Sequence, residues 1–156
     1  MSFKPIDRVL LGVVDGTVSS ARVIKIYCGH FLEGLQTFYS HQHIQQAWDV
    51  GFSFDEQLRS KVDTPYGNAR GALSLQIVDG TITGRYVFEK RIASEDGSEI
   101  WRQVWAVRIT SQGNVLLGDE GDVIVAVEST HAMSNAFDQA ARSLLYSIGV
   151  NPIFPN

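Results

Sequence analysis

Residues 71–109 read GALSLQIVDGTITGRYVFEKRIASEDGSEIWRQVWAVRI, and their patterning decides the fold class. Leu73, Leu75 and Ile77 alternate with Ser74 and Gln76, the period-two signature of a strand with one buried face. Asp79-Gly80 follows, the favoured pair for a two-residue type I′ turn. With these two as the loop, Val78 pairs with Thr81, Ile77 with Ile82, Leu75 with Gly84 and Leu73 with Tyr86. The apolar residues then share a face, and a slip of one residue would destroy the match.

Glu95-Asp96-Gly97-Ser98-Glu99 predicts a second hairpin. With Asp96-Gly97 as a two-residue turn, Tyr86 pairs with Val107, Phe88 with Trp105 and Ile92 with Trp101. That register puts Ile82, Tyr86, Phe88, Ile92, Trp101, Trp105, Val107 and Ile109 on one face. It also sets Arg85 opposite Arg108, and Arg91 opposite Arg102, where like charges repel. Either the loop is longer, or the arginine face has an acidic partner, within the chain or outside it. Glu89 and the acidic loop Asp119-Glu120-Gly121-Asp122 are the internal candidates. Val115–Leu117 and Val123–Glu128 extend the strands into an antiparallel meander.

The C-terminal segment is helical. Met133, Phe137, Ala140, Leu144 and Ile148 recur at spacings of four and three, with Ser129 or Thr130 as N-cap and Gly149 as terminator. The N-terminal third reads as a hairpin, Arg8–Val14 and Arg22–Cys28, turning at Asp15-Gly16. A poorly patterned helix over Leu32–Trp48 and a short helix from Ser53 or Asp55 to Val62 follow. The expectation is one α+β domain over residues 1–156. A curved antiparallel meander carries the amphipathic C-terminal helix on one face. Leu75, Ile77, Tyr86, Phe88, Trp105, Val107, Phe137, Leu144 and Ile148 are the expected core.

Length, at 156 residues, fits one domain, and 44% hydrophobic with 19% charged residues fits a packed globule. A net charge of −4 argues against a nucleic-acid binder, which needs a basic surface. One cysteine makes no internal disulfide. No signal peptide or membrane span is visible, so the expected compartment is the cytoplasm. A chain trimmed from a periplasmic or lipid-anchored parent would read the same way.

No phosphate loop, nucleophile elbow or dinucleotide fingerprint is present. Cys28, His30, His41 and His43 cluster in sequence, but helical His41 and His43 point about 200° apart, so no metal site is expected. Cys28 with His30 as its base lacks an orienting group. Neither a cofactor nor a catalytic centre is assigned. The weak catalytic candidates are Asp49, Tyr39 and His43, at the mouth of a small-molecule cavity between sheet and C-terminal helix. That cavity protein, of isomerase, cyclase or ligand-carrier type, is the second reading. The first is a non-catalytic binding or assembly module. Its contacts would be Arg85, Arg91, Arg102 and Arg108, a sheet edge, or the tail residues Ile153 and Phe154. Its partner would be a second copy or an acidic protein.

Overall fold

The computed structural model describes Ser2, Phe3 and residues 5–151. Among these the chain forms α1 (Arg8–Ser40), α2 (Gln42–Trp48), β1 (Gly51–Phe54), β2 (Ser60–Thr64), β3 (Gly67–Val78), β4 (Thr81–Ala93), β5 (Glu99–Ile109), β6 (Asn114–Leu117), β7 (Val123–Ala126) and α3 (Asn135–Val150). The seven strands make one antiparallel sheet in sequence order, a meander that curls into a half-barrel. Helices α1 and α3 fill its inner face, so the fold is α+β with the C-terminal helix packed on the sheet.

The β3–β4 register matches the turn chemistry, with Val78 opposite Thr81 and Leu73 opposite Tyr86. Asp79 (φ 51°) and Gly80 (φ 74°) both take the positive φ that a type I′ turn demands. On β4–β5, Arg85 pairs with Arg108, Tyr86 with Val107 and Phe88 with Trp105. The register then shifts between Phe88 and Glu89, because Val104 is an extra residue on β5. Beyond this bulge Arg91 faces Trp101, Ile92 faces Ile100, and Arg102 lies opposite Lys90 rather than Arg91. The bulge turns Trp101 to the outer face, where the Arg70 guanidinium stacks on it at 4.0 Å. The connection is longer than two residues: Ala93 pairs with Glu99, and the Asp96 carboxylate accepts from Ser94, Ser98 and the Ser98 backbone.

The N-terminal hairpin is absent among the described residues. The same residues form the first two-thirds of α1, a 33-residue helix about 50 Å long. Ile24, Cys28, Phe31, Leu32, Leu35, Phe38 and Tyr39 are buried at helical spacing, and this packing overrides the β-branched composition. The helix stops at Ser40, where His41 adopts an extended conformation (φ −60°, ψ 137°) and α2 starts. The short helix expected over residues 53–62 is instead the hairpin β1–β2, closed by an Asp55 side chain accepting from Gln57 and Arg59 N–H groups.

The core joins Tyr86, Phe88, Trp105, Val107 and Ile109 of the sheet to the α1 stripe and to Phe137, Ala140, Ala141, Leu144 and Ile148 of α3. Phe88 and Trp105 meet across the strands at 5.7 Å, and Phe31 stacks on Phe137 at 5.9 Å. Buried polar tips find partners. Tyr39 donates to the Ala141 carbonyl at 2.6 Å, and Trp105 Nε1 donates to Ser143 at 2.9 Å. Of the expected core residues, Leu75 is half-buried and Ile77 is exposed, near the hairpin end where α1 itself has only Thr17 buried. Ser134, not Ser129 or Thr130, caps α3, and its hydroxyl accepts from Phe137 N–H. Gly149 lies inside the helix, against the Tyr66 ring. Among the described residues no helix is long and apolar enough to cross a membrane.

Candidate functional site

The space between the sheet and α3 is packed with side chains: Tyr86, Phe88, Leu144 and Ile148 are all fully buried. Tyr39 lies in that packing with its hydroxyl bonded, and burial drives its ionisation well above the ordinary phenol range. Asp49 is exposed and ends α2 in the left-handed conformation, and His43 is exposed on α2. Tyr39 is thus buried in the core while Asp49 and His43 are at the surface. Both Cys28 and His30 sit on α1; the thiol is fully buried, and desolvation pushes it up to about 12, far from a reactive thiolate. His41 and His43 differ from the helical expectation. The extended backbone at His41 brings their rings to 5.2 Å. Among the described residues no group of three His, Cys, Asp or Glu side chains is placed to hold a metal ion.

The arginine face is largely answered within the chain. Arg85 pairs with Asp119 at 2.9 Å, Arg91 with Glu99 at 2.8 Å and Arg70 with Glu89 at 3.3 Å, all at the surface. Exposed pairs of this kind contribute little energy but cancel the repulsion between stacked arginines. Arg108 is the exception among the described residues, because its Nε is buried without an acceptor. Arg102 is exposed and in no ion pair of the described residues. A groove of about 650 Å³ beside this face is lined by Arg59, Lys61 and Arg70, but also by Asp55 and Glu89, so neither sign of ligand charge is favoured. Ile153 and Phe154 lie outside the described residues. The sheet edges, β1 and β7, are four residues each, short templates for strand addition.

Two features escape the sequence reading. The first is Lys90, which occupies an inward position on β4 between Phe88 and Ile92 and is buried. Its ammonium donates to the carbonyls of Ile148 (2.8 Å) and Asn151, at the C-terminal end of α3. Unpaired carbonyls and the negative end of the helix dipole collect there. Burial pulls the Lys90 ionisation below its ordinary value.

The second is the outer half of α1. From Arg8 to Ser20 only Thr17 is buried. Val9 (76% exposed), Leu11 (53%), Val14 (39%) and Val18 (48%) face water, and Ile6 and Phe3 before them are more exposed than not. Near this half-helix, the β3–β4 hairpin end exposes Ile77 and Val78. A hollow of about 410 Å³ further along the same side is lined by Lys25, Leu58, Leu73 and Leu75. Scattered apolar residues are ordinary on a surface; here four lie along one half-helix. No family model, curated protein or solved structure matches the chain.

Proposed function

We propose that this chain is a non-catalytic binding module that self-associates, with the uncovered half of α1 as its contact surface. One observation carries the reading: α1 is a single helix whose inner half is core while its outer half presents valines and leucine to water. That outer half is a poor helix by itself. Gly12 and Gly16 each cost about 1 kcal/mol relative to Ala, and Val9, Val13, Val14 and Val18 add to the deficit. A segment of this length is marginal in water without tertiary packing. Burial of its apolar side against another surface supplies the missing stabilisation. The filled sheet–α3 interface weighs against the cavity reading, which needs a ligand volume there. The internal pairing of Arg85, Arg91 and Arg70 moves the contact away from the arginine face.

The test is light scattering of the parent and of Leu11→Lys with Val18→Lys across a concentration series. The parent should exceed the 17.3 kDa of one chain, and the variant should return to that mass, still folded by circular dichroism but with a lower melting temperature that no longer depends on concentration. A parent that stays at one chain's mass at every concentration would sink the reading.

A further inference from the structure

We propose that two copies of this chain pair through an antiparallel α1–α1 seam formed by Asp7, Leu11, Val14, Val18, Ala21 and Lys25; this rests on the self-association reading above and gives it a geometry. The six positions are spaced four, three, four, three and four, the alternation that keeps one stripe of a helix facing a partner helix. None of the six is fully buried. Leu11, Val14 and Val18 are exposed apolar residues, and Ala21 packs only at the margin of the core.

The stripe is complementary to itself when reversed. Turned antiparallel about residue 16, Asp7 meets Lys25 of the second copy, Leu11 meets Ala21, and Val14 meets Val18. Opposite charges close both ends, a large side chain falls opposite a small one, and two valines fill each middle layer. Parallel pairing would put Asp7 on Asp7 and Lys25 on Lys25, which repel. Among the described residues neither Asp7 nor Lys25 takes part in an ion pair, although Asp7 also caps α1 by accepting from Leu10 N–H. Arg8, Asp15 and Arg22 run beside the seam, so the approach of Asp15 to its own copy is flanked by arginines.

Beyond Lys25 lies the hollow lined by Leu58, Leu73 and Leu75, with Glu56 and Gln57 at its wall. In this arrangement it lies next to the start of the second copy's α1, where Phe3 and Ile6 are 85% and 60% exposed. The stripe from Asp7 to Lys25 spans about 27 Å of helix. Phe3, Ile6, Leu73 and Leu75 add apolar area to this stripe, toward the roughly 800 Å² per partner that a standard interface needs. The operation is a two-fold, so the contact closes at a dimer.

Disulfide trapping reads the register. Leu11→Cys with Ala21→Cys in one full-length chain should give a covalent dimer on mild oxidation, and either single variant should not. Within one chain the two positions are about 15 Å apart along α1, beyond the roughly 7 Å that a disulfide spans. Buried Cys28 stays silent. A mixture of the single variants Val14→Cys and Val18→Cys, both at exposed positions, repeats the test without touching the core margin and without a second cysteine one turn away in the same chain. Lys25→Glu should weaken association several-fold in sedimentation, and Lys25→Arg should not. A dimer in solution that fails to cross-link both in the Leu11→Cys, Ala21→Cys double variant and in the mixture of Val14→Cys with Val18→Cys, or that cross-links through Leu11→Cys alone, overturns this seam and leaves self-association standing. A parent of one-chain mass at every concentration overturns both.

Discussion

Replacing Lys90 by Met separates the roles of its stem and its charge. Met keeps the length and apolar packing of the side chain but removes the donors held by the Ile148 and Asn151 carbonyls. Each carbonyl left without that donor costs about 1–3 kcal/mol, and the cation at the helix terminus contributes up to about 2 more. Relief of the ammonium's desolvation works the other way. The balance is a loss of about 2–4 kcal/mol, or roughly 5–15 °C in Tm for a chain of this size. Urea titration followed by tryptophan fluorescence measures it. A sign in pH accompanies the magnitude. Burial lowers the folded-state ionisation of Lys90, whereas the unfolded chain holds its proton up to the ordinary value of 10.5. Between the two values the unfolded state binds more protons, so this group's contribution to stability rises with pH. The stability gap between parent and Lys90→Met should therefore widen through the alkaline range up to about 10.5 and be smallest at neutral pH. A variant within about 0.5 kcal/mol of the parent, with a gap flat in pH, would show that Lys90 does not cap α3.

Four further outcomes follow from the packing. Gly34→Ala should destabilise by about 1–3 kcal/mol despite better helix propensity, since its Cβ would fall 2.3 Å from the Phe137 ring; a stabilised variant in urea would show that α1 and α3 separate easily. Gly12→Ala with Gly16→Ala meets no atom within 4 Å and lies off the proposed seam, so calorimetry should find about 1 kcal/mol gained per site and light scattering no change in mass. Phe88→Ala or Trp105→Ala should cost about 3–5 kcal/mol by urea titration; a loss under 1 kcal/mol would contradict the β4–β5 register. Cys28 should resist a thiol reagent at neutral pH until the chain unfolds, so labelling and unfolding rates should coincide.

The meander from β3 to β7 is legible because its determinants are local, whereas the β1–β2 hairpin reads as a short helix. Asp79-Gly80 sets the β3–β4 register without help from the rest of the chain, and alternation does the rest down to Leu73 and Tyr86. The β4–β5 pairing is right from Gly84 to Phe88 and fails at Glu89, where an added residue on β5 leaves no mark in the pattern. Counting from the turn therefore put Trp101 inside and Arg91 opposite Arg102. The role of Lys90 is hidden in the sequence for a related reason. Its position obeys the alternation, but a lysine in an inward register reads as a break in the pattern until the end of α3 is seen beside it. Asp49, Tyr39 and His43 were chosen by residue type, and no local pattern tells a buried bonded tyrosine from one lining a pocket.

The misreading of residues 8–28 bears on what the chain does. Val13, Val14, Val18, Val23, Ile24 and Ile26, with Asp15-Gly16 among them, carry the composition of two strands and a turn. Tertiary contact overturns that preference where it exists: from Ile24 onward the helix is held by the sheet, by α3 and by its own stripe of buried residues. From Arg8 to Ser20 the same argument has little to draw on, because Thr17 is the one buried residue and its hydroxyl is spent on the helix's own Val13 and Val14 carbonyls. Continuity with the inner half spares the outer half the cost of nucleation, yet not the cost of its glycines and β-branched residues. A helix that extends past its own core against its local preferences, while keeping valine and leucine outward at coiled-coil spacing, is accounted for if those residues are buried in the working state. The conflict between local preference and observed structure is thus sharpest in the segment that carries the self-complementary stripe; in the inner half of α1, Ile24, Cys28, Phe31, Leu32 and Leu35 are buried by their own chain, and the exposed Val23 and Ile26 lie off the stripe.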